Sequence, residues 1–139
     1  MMRIDFYILQ TSQNRELAAC RLCEKAWQQG LHIYIQAASE SQAVQLDELL
    51  WTFRDGSFVP HCLTADAGAP ETPVAIGWSD APQRPMQLLI NLAQTVPPFY
   101  TRFERIAEIV NQEANIKAAG RERFAFYRQQ NHELHHHEI

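Results

Sequence analysis

The chain has 139 residues, a hydrophobic content of 46%, a charged content of 20% and a formal net charge of −4. These values are typical of one globular domain, and they exclude a disordered chain and a segment apolar enough to span a membrane. The negative net charge also argues against a general nucleic-acid binder.

The chain opens with an apolar stretch that contains Asp5 and is not followed by a small-residue cleavage site. We therefore expect a first strand over residues 3–9 instead of a signal peptide, and a cytoplasmic protein. A polar cluster suited to helix capping comes next, and the spacing of apolar residues then predicts a helix over about 13–29. Gly30 lies just beyond this helix, at a position where glycine commonly ends one.

A second strand-helix unit follows the first. Residues 31–36 alternate and are rich in β-forming side chains, and a Ser-x-x-Gln capping box at 39–42 predicts the start of the second helix. Residues 64–73 are rich in Ala, Gly and Pro, which predicts a surface loop. The short apolar runs 73–78 and 86–92 are typical of buried strands.

Two helices are predicted after these strands. The first begins at Pro97 and Pro98. Its predicted apolar face consists of Phe99, Phe103, Ile106 and Val110. The second begins after residues 111–115 and ends near Gln130.

Strands that alternate with helices favour a parallel sheet covered on both faces. The sequence therefore predicts a three-layer α/β/α Rossmann-like domain, with a mostly parallel sheet of about five strands, over residues 1–130. Residues 131–139 are predicted to form a polar, His-rich C-terminal tail.

The pair Cys20 and Cys23 could be redox-active or could form half of a zinc site. Core packing is favoured, because the pair lies two turns into the first helix and shares its spacing with Leu17 and Trp27. Cys62 stands alone, so a reducing compartment is expected. The alternative function is a small Rossmann-like enzyme or redox protein that uses Cys20 and Cys23, which requires both thiols to be exposed in a cleft.

Neither a metal site nor a cofactor site is predicted. A terminal tail rarely provides the surroundings that a structural metal needs, so the tail histidines are expected to be solvated. These are His132, His135, His136 and His137. The first strand-helix turn has no glycine, and the chain has neither a phosphate-binding loop nor a Gly-x-Ser-x-Gly elbow, so no cofactor and no catalytic residue is expected.

One face of the last helix combines cations with an aromatic ring. Its members, Lys117, Arg121, Phe124 and Arg128, are spaced by four, three and four residues. Arg123 points away from this face and is expected to be solvated. Direct binding of single-stranded DNA is another possibility, but stacking platforms normally carry several aromatic side chains along a longer basic groove.

Aromatic side chains also crowd the end of the second helix, where Trp51, Phe53 and Phe58 flank the turn at residues 54–56. Such rings either close the core beneath the turn or form a binding surface. Core packing is favoured for Phe53.

Nearly the whole chain resembles the chi subunit family of bacterial DNA polymerase III. The resemblance rests on the segments FYIL, LDELLWTF followed by SFVPHCL, PVAIGW, LLINL and RERFAFYR. An aromatic helix end joined so closely to Ser-Phe-Val-Pro-His is not a general feature of α/β domains. The resemblance implies a non-catalytic accessory subunit of the clamp-loader complex, which bridges the replicase to the C-terminal tail of single-stranded DNA-binding protein.

The resemblance further implies that the aromatic region after the second helix binds the psi subunit, if the host has one. The implied contact residues are Trp51, Phe58, Val59, Pro60 and His61. A helicase could use the same aromatic surface. The resemblance implies neither a sequence-specific nucleic-acid site nor a membrane partner.

In chi-like proteins the last helix and the helix before it receive the acidic tail, whose terminal phenylalanine enters an apolar pocket while its carboxylate meets a basic side chain. Carried over by position, the contact residues are Val110, Lys117, Arg121 and Phe124. Arg128 is added on helical spacing alone. Ala125 departs from the pattern of relatives that carry a basic residue there, which implies weaker tail binding.

Overall fold

The structure is a computed structural model, and it describes residues 2–11, 14–56, 58–64, 72–79, 81–82 and 84–139. The helices are α1 (Arg15–Gln28), α2 (Glu40–Thr52) and α3 (Ala114–Gln129). The strands are β1 (Arg3–Ile8), β2 (Ile33–Gln36), β3 (His61–Leu63), β4 (Val74–Gly77), β5 (Leu88–Asn91), β6 (Arg105–Val110) and β7 (Glu133–Glu138). A single 3-10 turn, Tyr100–Arg102, precedes β6.

Within the described residues, seven strands form one sheet in the order β3-β4-β2-β5-β6-β1-β7, and every pair of neighbours is parallel. Buried side chains of α1 and α2 pack on one face of the sheet, and those of α3 and the 3-10 turn pack on the other. The three-layer α/β/α fold with a parallel sheet is therefore confirmed, with seven strands where about five were predicted. No described helix is long and apolar enough to cross a membrane.

Local sequence signals explain where the first two helices begin. The side chain of Asn14 accepts a hydrogen bond from the Leu17 N–H at 3.1 Å and so caps α1. Ser39 accepts from the Gln42 N–H at 3.1 Å, while Gln42 Oε1 accepts from the Ala38 N–H at 2.7 Å. The first contact confirms Ser39 as the predicted cap of α2, while the return contact from Gln42 reaches the residue before the cap.

The helix predicted from Pro97 to Val110 is wrong. Phe99 and Phe103 flank the 3-10 turn and pack beside Tyr34, and the chain then enters β6, which is paired on both sides by β5 and β1. Nearly all of β6 is buried, with Ile106 in one core cluster and Ile109 in the other. A strand that is apolar on both faces does not alternate, so its apolar residues also matched a helical spacing.

The prediction of a solvated tail at residues 131–139 is also wrong. Asn131 has a φ of 61°, the left-handed conformation that often ends a helix, and the chain returns as β7 beside β1. Leu134 packs against the core on the α3 side, and the His137 ring stacks on Tyr7 with centroids 4.9 Å apart. The C-terminal residues therefore extend the sheet.

Asp5 joins the three strands at this edge. Its side chain is 2% exposed, and it accepts hydrogen bonds from Arg3 and Arg105 at 3.1 Å and from His137 at 2.8 Å. Burial alone would raise the pKa of the Asp5 carboxyl, but the hydrogen bonds from His137, Arg3 and Arg105 outweigh burial and lower the pKa below its ordinary value.

We expect Asp5→Asn to lower the free energy of unfolding by about 2 kcal/mol at pH 7, because a buried ionised acceptor is lost. A carboxyl whose pKa is lower in the folded state stabilises the fold above its unfolded pKa of about 4, and this contribution disappears as the pH falls through the folded pKa. Urea denaturation of both proteins should therefore show a stability difference that shrinks below about pH 4. Asp55→Asn, in an exposed turn, is the control and should change stability little at either pH.

Candidate functional site

A buried carboxylate fixes the position of α3 on the sheet. Glu108 of β6 is fully buried and accepts hydrogen bonds from Arg123 Nε at 2.8 Å, from the Tyr127 hydroxyl at 2.6 Å and from Asn91 Nδ2 at 2.9 Å. Arg123 also donates to the Gln94 carbonyl at 2.9 Å. These contacts join α3 to β5, β6 and the loop after β5.

The prediction that Arg123 is solvated is therefore wrong. Its side chain is 3% exposed and lies on the buried face of α3. Burial raises the pKa of Glu108, and the nearby guanidinium opposes that shift together with the hydrogen bonds from Asn91 and Tyr127. Burial and the adjacent carboxyl also raise the pKa of the Tyr127 hydroxyl, which keeps it a hydrogen-bond donor.

Next to this anchor, α3 and the sheet enclose a pocket of about 280 Å³. Its lining residues are Phe6, Ile8, Val110, Gln112, Lys117, Gly120, Arg121, Phe124 and His136. Four of the five residues predicted to bind the tail meet here: Val110, Lys117, Arg121 and Phe124. Arg128 does not line the pocket and lies exposed further along α3.

The floor of the pocket is apolar and aromatic. Phe6 and Phe124 meet edge to face with ring centroids 5.3 Å apart, and Phe6 also contacts Tyr127 at 6.0 Å. Val110 is 7% exposed at the end of β6. A planar apolar group can therefore pack against rings already held in place by the core.

Gly120 allows α3 to approach β6 closely. A Cβ atom at this position would lie 2.9 Å from Cγ2 of Val110, closer than packed carbon atoms normally come. The missing side chain thus sets the distance between the helix and the floor of the pocket.

The rim of the pocket is positively charged. Lys117 and Arg121 stand one turn apart in the first half of α3, and no Asp or Glu side chain occurs among the described lining residues. Lys117 lies close to the N-terminal end of the helix, whose positive potential adds to its charge. The pocket therefore suits a ligand with an apolar ring and a negative charge.

The residues that β1 and β7 contribute to this pocket were not among those predicted. Phe6 and Ile8 come from β1, far from α3 in the chain, whereas His136 comes from β7, which directly follows α3. All three side chains share a sheet face with Val110. Strand alternation signals a common face for Phe6 and Ile8. No local signal indicates that His136 lies beside them, because β7 was not predicted.

A second candidate surface lies at the end of α2. Trp51 is 52% exposed and Phe58 is 59% exposed, and their ring centroids are 5.4 Å apart. The Trp51 ring also contacts His61 at 4.7 Å. Val44, 41% exposed and two turns earlier on α2, shares the helix face of Trp51 and extends the apolar surface.

Two residues predicted for this surface lie inside the protein instead. Val59 is 1% exposed and belongs to the core beneath α2. His61 is 9% exposed, and its ring nitrogens lie 2.6 Å from the Val59 carbonyl and 3.0 Å from the Asp47 carbonyl. Both residues support the surface from below, which leaves Trp51, Phe58 and the half-buried Pro60 accessible at the surface. Phe53 packs against the core, as predicted.

The alternative of an enzyme or redox protein that uses Cys20 and Cys23 is contradicted, because both thiols are buried. Cys20 and Cys23 are both 0% exposed and pack in the core between α1 and the sheet. Burial raises the pKa of the Cys20 thiol to about 12 and raises that of Cys23 as well, so neither thiol is a reactive thiolate at neutral pH. Within the described residues, no cluster of three or more His, Cys, Asp or Glu side chains could hold a metal ion.

Comparison with known proteins gives one consistent family. The family described as "DNA polymerase III chi subunit, HolC" matches residues 1–135. DNA polymerase III subunit chi of Pseudomonas aeruginosa is 42% identical over 141 residues, which cover 100% of this chain and 98% of the relative. The proteins of the same name from Haemophilus influenzae and Escherichia coli are 37% and 32% identical, over 86% and 81% of this chain and 85% and 78% of their own lengths.

The anchor of α3 can be tested by a double-mutant cycle on Glu108 and Arg123. We expect Glu108→Leu alone to lower the free energy of unfolding by about 3–5 kcal/mol, because it leaves a buried cation unpaired. The double variant Glu108→Leu/Arg123→Met should recover part of that loss in urea denaturation, because no buried cation is left unpaired while the Tyr127 hydroxyl and Asn91 still lack their acceptor. Glu122→Leu, at an exposed position on the same helix, is the control. Equal losses in the single and double variants would contradict the assigned ion pair.

Proposed function

The chain belongs to the family of DNA polymerase III chi subunits, and from this premise we propose that it bridges the replicase to the C-terminal tail of single-stranded DNA-binding protein. In this proposal the protein is a non-catalytic adaptor of the clamp-loader complex. It works in the cytoplasm, where bacterial DNA replication takes place.

The observation that carries the proposal is the α3 pocket. An acidic tail that ends in phenylalanine offers a ring, a terminal carboxylate and further negative charges. The aromatic floor of Phe6 and Phe124 fits the ring, and the cationic rim of Lys117 and Arg121 fits the charges. We assign the terminal carboxylate to Arg121 and the longer-range attraction of the preceding acids to Lys117.

The aromatic surface on α2 supports a second contact. Two large rings are more than half exposed here, although other aromatic side chains of the domain are buried in its core. Such exposure is unusual, and rigid rings supply much of the binding energy in interfaces. We propose that Trp51, Phe58 and Pro60 bind the psi subunit where the host has one, and that a helicase could compete for the same surface. Since α2 and α3 lie on opposite faces of the sheet, both partners can be held at once.

We expect Arg121→Ala to weaken binding of a labelled acidic peptide ending in phenylalanine by about thirtyfold, since one partner of a charged hydrogen bond is removed. Lys117→Ala should weaken it less, and Arg128→Ala, outside the pocket, should change it least. Fluorescence anisotropy at low and at high salt measures the binding of the peptide to all three variants. Added salt should weaken the wild type more than Arg121→Ala, because the variant has one cation fewer to screen.

The ring contact can be separated from the charge contact in the same assay. Deleting the final phenylalanine of the peptide should weaken binding to the wild type and to Arg121→Ala alike, because the floor of the pocket is apolar. Wild-type affinity of Arg121→Ala at low salt would contradict the proposed site.

We expect Phe58→Ala to remove co-purification with the psi subunit while leaving thermal unfolding nearly unchanged, because an exposed anchor contributes more to binding than to folding. Val44→Ala, an exposed apolar residue two turns away from Trp51 on α2, is a milder variant of the same surface and should weaken binding less. A stability loss of about 3 kcal/mol in Phe58→Ala would instead identify a core residue.

A further inference from the structure

A second pocket lies on the other face of the same strands, between α1 and the sheet. Its volume is about 590 Å³, roughly twice that of the α3 pocket. It is lined by Tyr7, Leu9, Asn14, Leu17, Ala18, Arg21, Leu22, Lys25, Ile109 and Ile139. We call it the α1 groove.

The α1 groove and the α3 pocket share a common wall. Tyr7 and Ile109 line the groove, while the neighbouring residues Phe6 and Val110 line the pocket. Successive side chains of a strand point to opposite faces of the sheet, so β1 and β6 supply an apolar floor to both sites. In each case one helix forms the opposite wall.

The two sites also have the same arrangement of charge. Arg21 and Lys25 stand four residues apart on α1, as Lys117 and Arg121 do on α3, and all four line their sites. Arg21 and Lys25 are exposed, and no Asp or Glu side chain occurs among the described lining residues of either site. Both sites therefore combine an apolar floor with a rim that carries two cationic side chains.

We propose that the α1 groove is a second acceptor for the acidic C-terminal tail of single-stranded DNA-binding protein. This inference rests on the proposed function, because the ligand of the α3 pocket defines the ligand chemistry. The larger volume has room for the terminal ring, while Arg21 and Lys25 meet the acidic residues.

Two acceptors on one chain change how strongly it holds a partner that carries several tails. When one tail is bound, the second binds from a high local concentration, so the overall affinity exceeds that of either site without any new contact. The sites lie on opposite faces of β1, so two tails do not compete for the same space.

The test is a titration of the ¹⁵N-labelled full chain with an acidic peptide ending in phenylalanine, combined with isothermal calorimetry. We expect two bound peptides and two separate sets of shifted amides, one on α1 around Arg21 and one on α3 around Arg121. Arg21→Ala/Lys25→Ala should weaken the α1 site by about tenfold or more and leave the α3 site unchanged. Arg121→Ala should weaken the α3 site and leave the α1 site unchanged.

Two controls complete the design. Arg102→Ala/Arg128→Ala removes the same amount of charge at exposed positions outside both sites and should preserve both binding events. Leu17→Ser removes an apolar side chain from the helix wall of the α1 groove without changing charge and should weaken only the α1 site. A variant that loses binding without loss of folding, checked by its amide spectrum, supports the assignment.

The possible failures are distinguishable. A single bound peptide that shifts only α3 amides would overturn the second site and leave the proposed function standing. Absence of binding at α3 would contradict the proposed function itself. Dimerisation of the free chain that Arg21→Ala/Lys25→Ala abolishes would show that a second copy covers the groove, and it would overturn the inference.

Discussion

The buried carboxylate of Glu108 is the constraint on which the geometry of the α3 pocket depends. An ionised group inside a protein is tolerated only when its hydrogen-bonding capacity is used, and here three donors from α3 and β5 converge on it. Since two of those donors, Arg123 and Tyr127, lie on the buried face of α3, the helix cannot roll or slide without leaving a charge unpaired. The exposed face, with Lys117 and Arg121, is thereby held at a fixed distance from the floor of the pocket. The position of α3 beside the pocket is therefore fixed by the hydrogen bonds of Arg123 and Tyr127 to Glu108.

Much of this fold follows from local signals. The strand-helix units at the N-terminal end, the predicted cap of α2 and the helical spacing in α3 each depend on residues close in the chain, and the structure agrees with them. Lys117, Arg121 and Phe124 could be named because helical spacing and the family resemblance coincide on α3, whereas Val110, in β6, was named from the resemblance alone. The core position of Cys20 and Cys23 followed from the spacing they share with apolar residues of α1.

The other features of the fold and of the site depend on tertiary contacts that no local sequence pattern indicates. The strand β6 is covered on both faces, so its apolar residues fit a helical period as well as a strand. The strand β7 consists largely of Glu and His, residues that favour a solvated tail, and it forms because β1 offers an open edge. Arg123 lies among solvated cations in the sequence, but its partner Glu108 is distant in the chain. Val59 was assigned with its exposed neighbours, although only tertiary packing decides which side of the chain faces the core.

The composition of the outermost strands has a consequence for self-association. A sheet that ends in a long, apolar strand invites pairing with a strand of another molecule. Here β3, at one margin, has only three residues, and β7, at the other, carries Glu and His at five of its six positions. Short or charged edge strands pair poorly with a strand of another molecule, so backbone pairing between copies is disfavoured at both edges of the sheet. The aromatic surface on α2 and the α3 pocket therefore expose apolar side chains without exposing a sheet edge that favours strand pairing.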